Sequence, residues 1–238
     1  MSFYTAIFYK PGKKSFSGKE INELIEKVHI RGDKVYPLFP NDPHLTPDGK
    51  FIIKEVETEL DLSLLINMDK TEVPFSLHLY PAQEKIHGSI ATLSVPEDVF
   101  EEHIEGATVG FIELSCIIMG ELSPDFGWAD HELELTRLEP WLTLERVKAI
   151  SWLNIFPRGL VQKLGGIGKF PASEVQEQMY NELGFLPMIT ADNPTLPIDG
   201  ENTLLLAKLF PEAMLRSFEM VVKSPEGNQG GSLERVSR

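Results

Sequence analysis

The stretch Phe51-Ile52-Ile53-Lys54-Glu55-Val56-Glu57-Thr58-Glu59-Leu60-Asp61-Leu62-Ser63-Leu64-Leu65-Ile66-Asn67 decides the fold class. Val56, Thr58, Leu60, Leu62, Leu64 and Ile66 share one parity, while Glu55, Glu57, Glu59, Asp61 and Ser63 share the other. A period of two puts alternate side chains on opposite faces of a strand, so residues 51–67 are predicted to form a strand with one core face and one carboxylate face. Alternation of this kind suits an antiparallel sheet with one wet side. Carboxylates two residues apart on a strand lie about 6.6 Å from one another, inside the ~8 Å screening length of physiological salt. Glu55, Glu57, Glu59 and Asp61 then form a negative stripe, read either as a solvated face or as a binding surface.

Working outward, Phe75, Leu77 and Leu79 alternate with Ser76 and His78, and residues 87–95 form a further strand pattern. Upstream, Phe3-Tyr4-Thr5-Ala6-Ile7-Phe8-Tyr9 reads as a strand stopped by Pro11-Gly12. Ser17, or Ser15, can cap a helix in which Ile21, Leu24, Ile25 and Val28 recur at helical spacing to Gly32. Pro37, Pro40, Pro43 and Pro47 make residues 36–49 a loop. Pro96-Glu97-Asp98 opens a short helix, and Phe111, Leu114, Ile117 and Ile118 mark a longer one ending at Leu122. Residues 123–130 are rich in turn formers, and 147–156 read as a strand. Pro157 opens a helix that stops at Gly165-Gly166. Ser173 with Gln176 offers a capping box for another, with Val175, Met179 and Leu183 on one face and Gly184 as the stop. Residues 185–190 read as a strand, and 204–210 with 212–218 as helical material around Pro211. The expected architecture is α+β, a largely antiparallel sheet with several packed helices. Residues 1–223 form one domain, and 224–238, which lack apolar periodicity, a disordered tail.

Hydrophobic residues at 42% and charged residues at 24% are ordinary for a packed chain of 238 residues. Thirty-six acidic against 22 basic residues give a formal charge of -14, which repels phosphates and anionic lipid and attracts basic partners. Direct nucleic-acid binding is therefore disfavoured. No stretch approaches 18 uncharged apolar residues, and Met1-Ser2-Phe3-Tyr4 does not read as a secretory signal. The lone Cys116 lies in an apolar stretch, so the expected setting is a reducing cytoplasm.

Chemistry is sparse. Gly165-Gly166-Ile167-Gly168-Lys169 suggests a phosphate loop, but Lys163 and Phe170 stand where Gly and Ser or Thr are needed, and the segment follows a helix. A helix stop is the better reading. No Gly-x-Ser-x-Gly is present, and His29, His44, His78, His87, His103 and His131 show no zinc spacing. No catalytic residue, cofactor or metal is expected, although carboxylates distant in sequence leave a dispersed hydrolase site open as a rival. A structural or regulatory module is a third possibility. Trp152 reads as core, whereas Trp128, between Asp125 and Asp130 among turn residues, is a candidate interface anchor.

Three segments in order, residues 123–130 (SPDFGWAD), 151–156 (SWLNIF) and 160–166 (LVQKLGG), resemble the bacterial immunity proteins that neutralise polymorphic toxins, including type VI secretion effectors. The resemblance spans roughly residues 108–218 and rests on turn and packing signatures. It implies a non-enzymatic α+β inhibitor of a cognate protein toxin. Gly127, Trp152, Asn154, Leu164, Gly165 and Gly166 would shape the fold, and Asp125, Trp128, Asp130 and the acidic stripe would be available to the partner. The acidic balance fits a basic toxin such as a nuclease.

Overall fold

The structure is a computed structural model that describes residues 3–12, 15–37, 52–53, 58–68, 71–83, 88–131, 149–150, 152–189, 208–209 and 214–215. The predicted loop at 38–49, Glu55, Glu57, Trp141 and the tail 224–238 lie outside these residues.

The elements run β1 (Phe3–Pro11), α1 (Gly18–Ile30), β2 (Lys34–Pro37), β3 (Leu60–Met68), β4 (Thr71–Gln83), β5 (Gly88–Pro96), α2 (Glu97–Glu102), α3 (Ile104–Leu122), β6 (Phe126–His131), β7 (Ala149–Ile150), β8 (Leu153–Pro157), α4 (Arg158–Lys163), α5 (Glu174–Leu183), β9 (Phe185–Ile189) and β10 (Met214–Leu215). Eight strands form one sheet in the order β2-β3-β4-β5-β1-β6-β8-β9, and every neighbouring pair is antiparallel. The fold is α+β, as the alternation in residues 51–67 implies. A separate parallel pair joins β7 to β10.

Position in the sheet explains two kinds of strand sequence. β1 lies inside the sheet between β5 and β6 and is buried without interruption from Tyr4 to Tyr9, so it reads as a continuous apolar run. β3 lies one strand from the edge. Its Leu60, Leu62, Leu64 and Ile66 are buried, while Asp61, Ser63 and Leu65 are partly exposed. The buried face packs under α1, α2 and α3, with Phe111 of α3 placed 6.2 Å from Phe75, 6.2 Å from Phe100 and 5.8 Å from Trp152, ring centre to ring centre. On the opposite face, α4 and α5 cover the β8–β9 end through Phe156, Val161, Phe170, Tyr180, Leu186 and Met188. Each large apolar side chain so buried contributes about 1.5–3 kcal/mol.

Several expectations are corrected. The strand begins at Leu60, with Ile53, Thr58 and Glu59 outside it, because Ile53 is buried and its backbone is held from both sides by Asn22 of α1. Residues 123–130 contain a strand, since β6 pairs with β1 through Phe126 to His131 despite its glycine and flanking proline. The strand expected over 147–156 is split: Ala149–Ile150 pairs with β10, and β8 starts only at Leu153. Met214–Leu215, expected to be helical, is that partner strand. β2, at the start of the expected loop, is a short edge strand. On α5 the buried residue is Tyr180, and Val175 and Leu183 face solvent. The expected capping box of Ser173 with Gln176 forms, and Ser17, one of two expected caps of α1, closes a further box with Glu20.

Candidate functional site

Strand pairing builds the site from side chains far apart in sequence. The pairing Met68↔Thr71 leaves two residues between β3 and β4 and sets the register Asp61↔His78 and Ser63↔Ser76. β5 continues the rows with Ser76↔Ser94 and His78↔Thr92, and β1 with Thr5↔Ser94. On the face away from α1 and α3, one row thus reads Tyr36, Ser63, Ser76, Ser94, Thr5 across five strands. The hydroxyls of Thr5 and Ser94 are hydrogen bonded at 3.1 Å. The next row holds Asp61 and His78, joined between His78 Nδ1 and Asp61 Oδ1 at 2.5 Å. Their side chains are 37% and 30% exposed, so a partner can reach both.

Beyond this pair lies Tyr80, whose phenol is pushed above its ordinary pKa by burial and further by the charges of Glu59 and Asp61. Both carboxylates therefore act on one spot. At the other end of the face Leu65 stands opposite Pro74 and, across β5, Phe3 stands opposite Pro96 as a further exposed apolar residue, and Lys34 of β2 meets Glu72 of β4 at 2.5 Å. The helices α1, α2 and α3 pack on the opposite face of this part of the sheet. Toward β1 and β6 the same face closes: Ile7, Tyr9, Ile90 and Trp128 are buried together, with Tyr80 and Phe126 packed against them.

The other candidate residues take different places. Among the described residues of the expected stripe, Asp61 lies in a strand, and Glu59 precedes it and is exposed. Trp128 is 6% exposed and packs on Phe126 at 5.3 Å, so it is a buried residue of the second face rather than an exposed anchor. Asp125 is exposed as a residue, its N–H donates to Tyr9 O, and partial burial raises its carboxyl pKa while Lys10 opposes the rise. Asp130 stands opposite Thr5 in the β1–β6 register. Trp152 and Asn154 are fully interior, and Leu164 packs on the α4–α5 core. Gly165 and Gly166 end α4 with φ of 100° and 91°, a conformation that favours glycine, and their N–H groups donate to Gln162 O and Val161 O. This is a helix stop, as read from the sequence.

For chemistry, burial and then the charge of Glu113 push the Cys116 thiol up to about 12, leaving no thiolate near neutral pH. Among the described residues no group of three His, Cys, Asp or Glu side chains is placed to hold a metal ion, and no helix is long and apolar enough to cross a membrane. His78 and Tyr80 are the site residues that sequence reasoning passed over. Their parity was visible, but pairing His78 with Asp61 required the β3–β4 register.

No family model and no curated protein matches the chain. Among solved structures, a Pseudomonas aeruginosa T6SS protein is similar with a TM-score of 0.49 and 12% identity, over 89% of this chain and 76% of that one. A chain of the crystal structure of the toxic C-terminal tip of CdiA from Pseudomonas aeruginosa in complex with immune protein is similar with a TM-score of 0.34 and 10% identity, over 56% of this chain and 88% of that one. At these values neither likeness carries an argument about function, which rests on the face of the sheet.

Proposed function

We propose that this chain is a non-catalytic immunity protein that binds and neutralises a cognate toxin of net positive charge, a nuclease being a class that fits. The observation that carries the reading is the open polar face of β3 and β4, presented on a rigid apolar core and bearing carboxylates and hydroxyls rather than a reactive centre. The formal charge of -14 supports a basic partner by steering encounter. The segments 123–130, 151–156 and 160–166, which resemble immunity proteins, support the class of partner.

A hydrolase is the second reading, and the Asp61–His78 pair favours it, because a carboxylate bonded to Nδ1 is the orienting half of a catalytic triad. Against it, none of the recorded hydrogen bonds of His78 among the described residues runs to a serine, threonine or cysteine. Co-expression with a candidate toxin, should one be encoded beside its gene, decides the matter: the wild-type protein should restore growth, and so should His78→Ala, which no base-dependent enzyme would survive. Growth arrest that wild-type protein fails to relieve, or a turnover abolished by His78→Ala, would sink the inhibitor reading.

A further inference from the structure

We propose that the open face of β3 and β4 docks a cationic segment of the partner protein, with Glu59 and Asp61 receiving an arginine or lysine beside Tyr80 and with Leu65, Pro74 and Phe3 packing on the apolar flank. The inference rests on the inhibitor reading and names its surface.

Asp61 is prepared for this role. His78 fixes one oxygen of a carboxylate whose side chain is 37% exposed, so the group is held in a set orientation within reach of a partner. Glu59 lies two residues earlier, and the half-buried ring of Tyr80 offers a surface over which a guanidinium stacks. The hydroxyls of Ser63, Ser76 and Ser94 lie beside this row and provide donors and acceptors at low entropic cost. Two strands about 4.8 Å apart with four rows about 6.6 Å apart give the face an area on the order of 250 Å², about a third of what one partner buries in a standard complex. It is large enough to be the centre of an interface.

Charge complementarity selects the occupant. Against a second copy, Glu59 and Asp61 would face like charges on a chain of formal charge -14, and against nucleic acid they would face phosphate. A basic protein surface is left.

The probe is a six-arginine peptide, titrated by fluorescence anisotropy against wild-type protein, Glu59→Lys/Asp61→Lys, and Glu26→Lys/Glu101→Lys. The last pair makes the same charge change on exposed positions of α1 and α2, which pack on the opposite face. Loss of about tenfold or more in affinity for the first variant, against about twofold for the control, is the expected result. Equal losses would mean that net charge alone attracts the peptide and would overturn the proposal. If Glu59→Lys/Asp61→Lys proves unfolded by circular dichroism, Ser76→Arg on the same face replaces it with the same expectation. Concentration-dependent dimerisation of wild-type protein that Ser76→Arg abolishes would assign the face to a second copy and also overturn it. In the co-expression assay, undiminished neutralisation by Glu59→Lys/Asp61→Lys counts against the face alone, whereas failure of wild-type protein to neutralise counts against the inhibitor reading alone.

Discussion

Gly127 shows how one residue can be required for its lack of a side chain. A Cβ at this position would lie 2.9 Å from Phe8 Cδ1, 3.1 Å from Phe8 Cε1 and 3.2 Å from Met119 Sδ. Phe8 is fully buried in the central strand and cannot swing away, so the β6 backbone approaches β1 and α3 only as glycine. Gly127→Ala is expected to destabilise the protein by about 1–3 kcal/mol, read as a fall in the denaturation midpoint with an unchanged slope. An unaltered midpoint would show that Phe8 and Met119 relax freely. The sequence pointed to Gly127 as a fold-shaping residue but misplaced its neighbour Trp128. A tryptophan beside proline, aspartate and glycine looks like a loop residue, and only pairing of β6 with both β1 and β8 reveals why it is buried.

At the scale of the element, the start of α1 links local capping to tertiary structure. Ser17 and Glu20 close a capping box, and the Glu20 carboxylate also pairs with Lys10 of β1, which in turn donates to Leu122 O at the end of α3. Burial works to raise the Glu20 pKa, but the bonds from Lys10 and Ser17 outweigh it and leave the carboxyl below its ordinary value. A group depressed in the folded state contributes stability above its unfolded pKa of about 4.3, and that contribution fades as pH falls through the folded value. Glu20→Gln should therefore cost about 1 kcal/mol at neutral pH and converge with wild type in acid, once the carboxyl is protonated in both folded and unfolded states, as chemical denaturation at several pH values would reveal. A gap that persists in acid would assign the loss to packing instead. Helices such as α1 and α5 were legible because their caps are local signals. β2 was not, since four residues ending in proline carry too little pattern to separate them from the loop that follows. The start of β3 was misjudged because alternation continues through residues 55–59 although the strand begins at Leu60.

For the whole molecule, the α+β class followed from alternation, but strand order did not, because pairing between distant segments leaves no local mark. The candidate face was legible only in its pieces: Asp61 as an acid and His78 as an alternating polar residue, joined by a register that the sequence reading did not determine. Composition also bears on the end of the chain: we propose a domain boundary at residue 223, because residues 224–238 lack apolar periodicity. Deleting Ser224 to Arg238 should leave the melting temperature within about 2 °C of wild type by calorimetry. A larger drop would extend the domain past residue 223.

β1, which precedes the other described strands in the chain, lies inside the sheet. β1 pairs with β5, about 80 residues later, and with β6, more distant still. At about 5–20 residues per second, a ribosome needs roughly 4–16 s after finishing β1 to supply β5. Through that interval the run Tyr4 to Tyr9 waits without its neighbours as an apolar segment of high β-propensity, the kind that self-associates. Among the described strands β1 thus waits longest for its neighbours, and both of its edges can be paired only once residue 131 has been made.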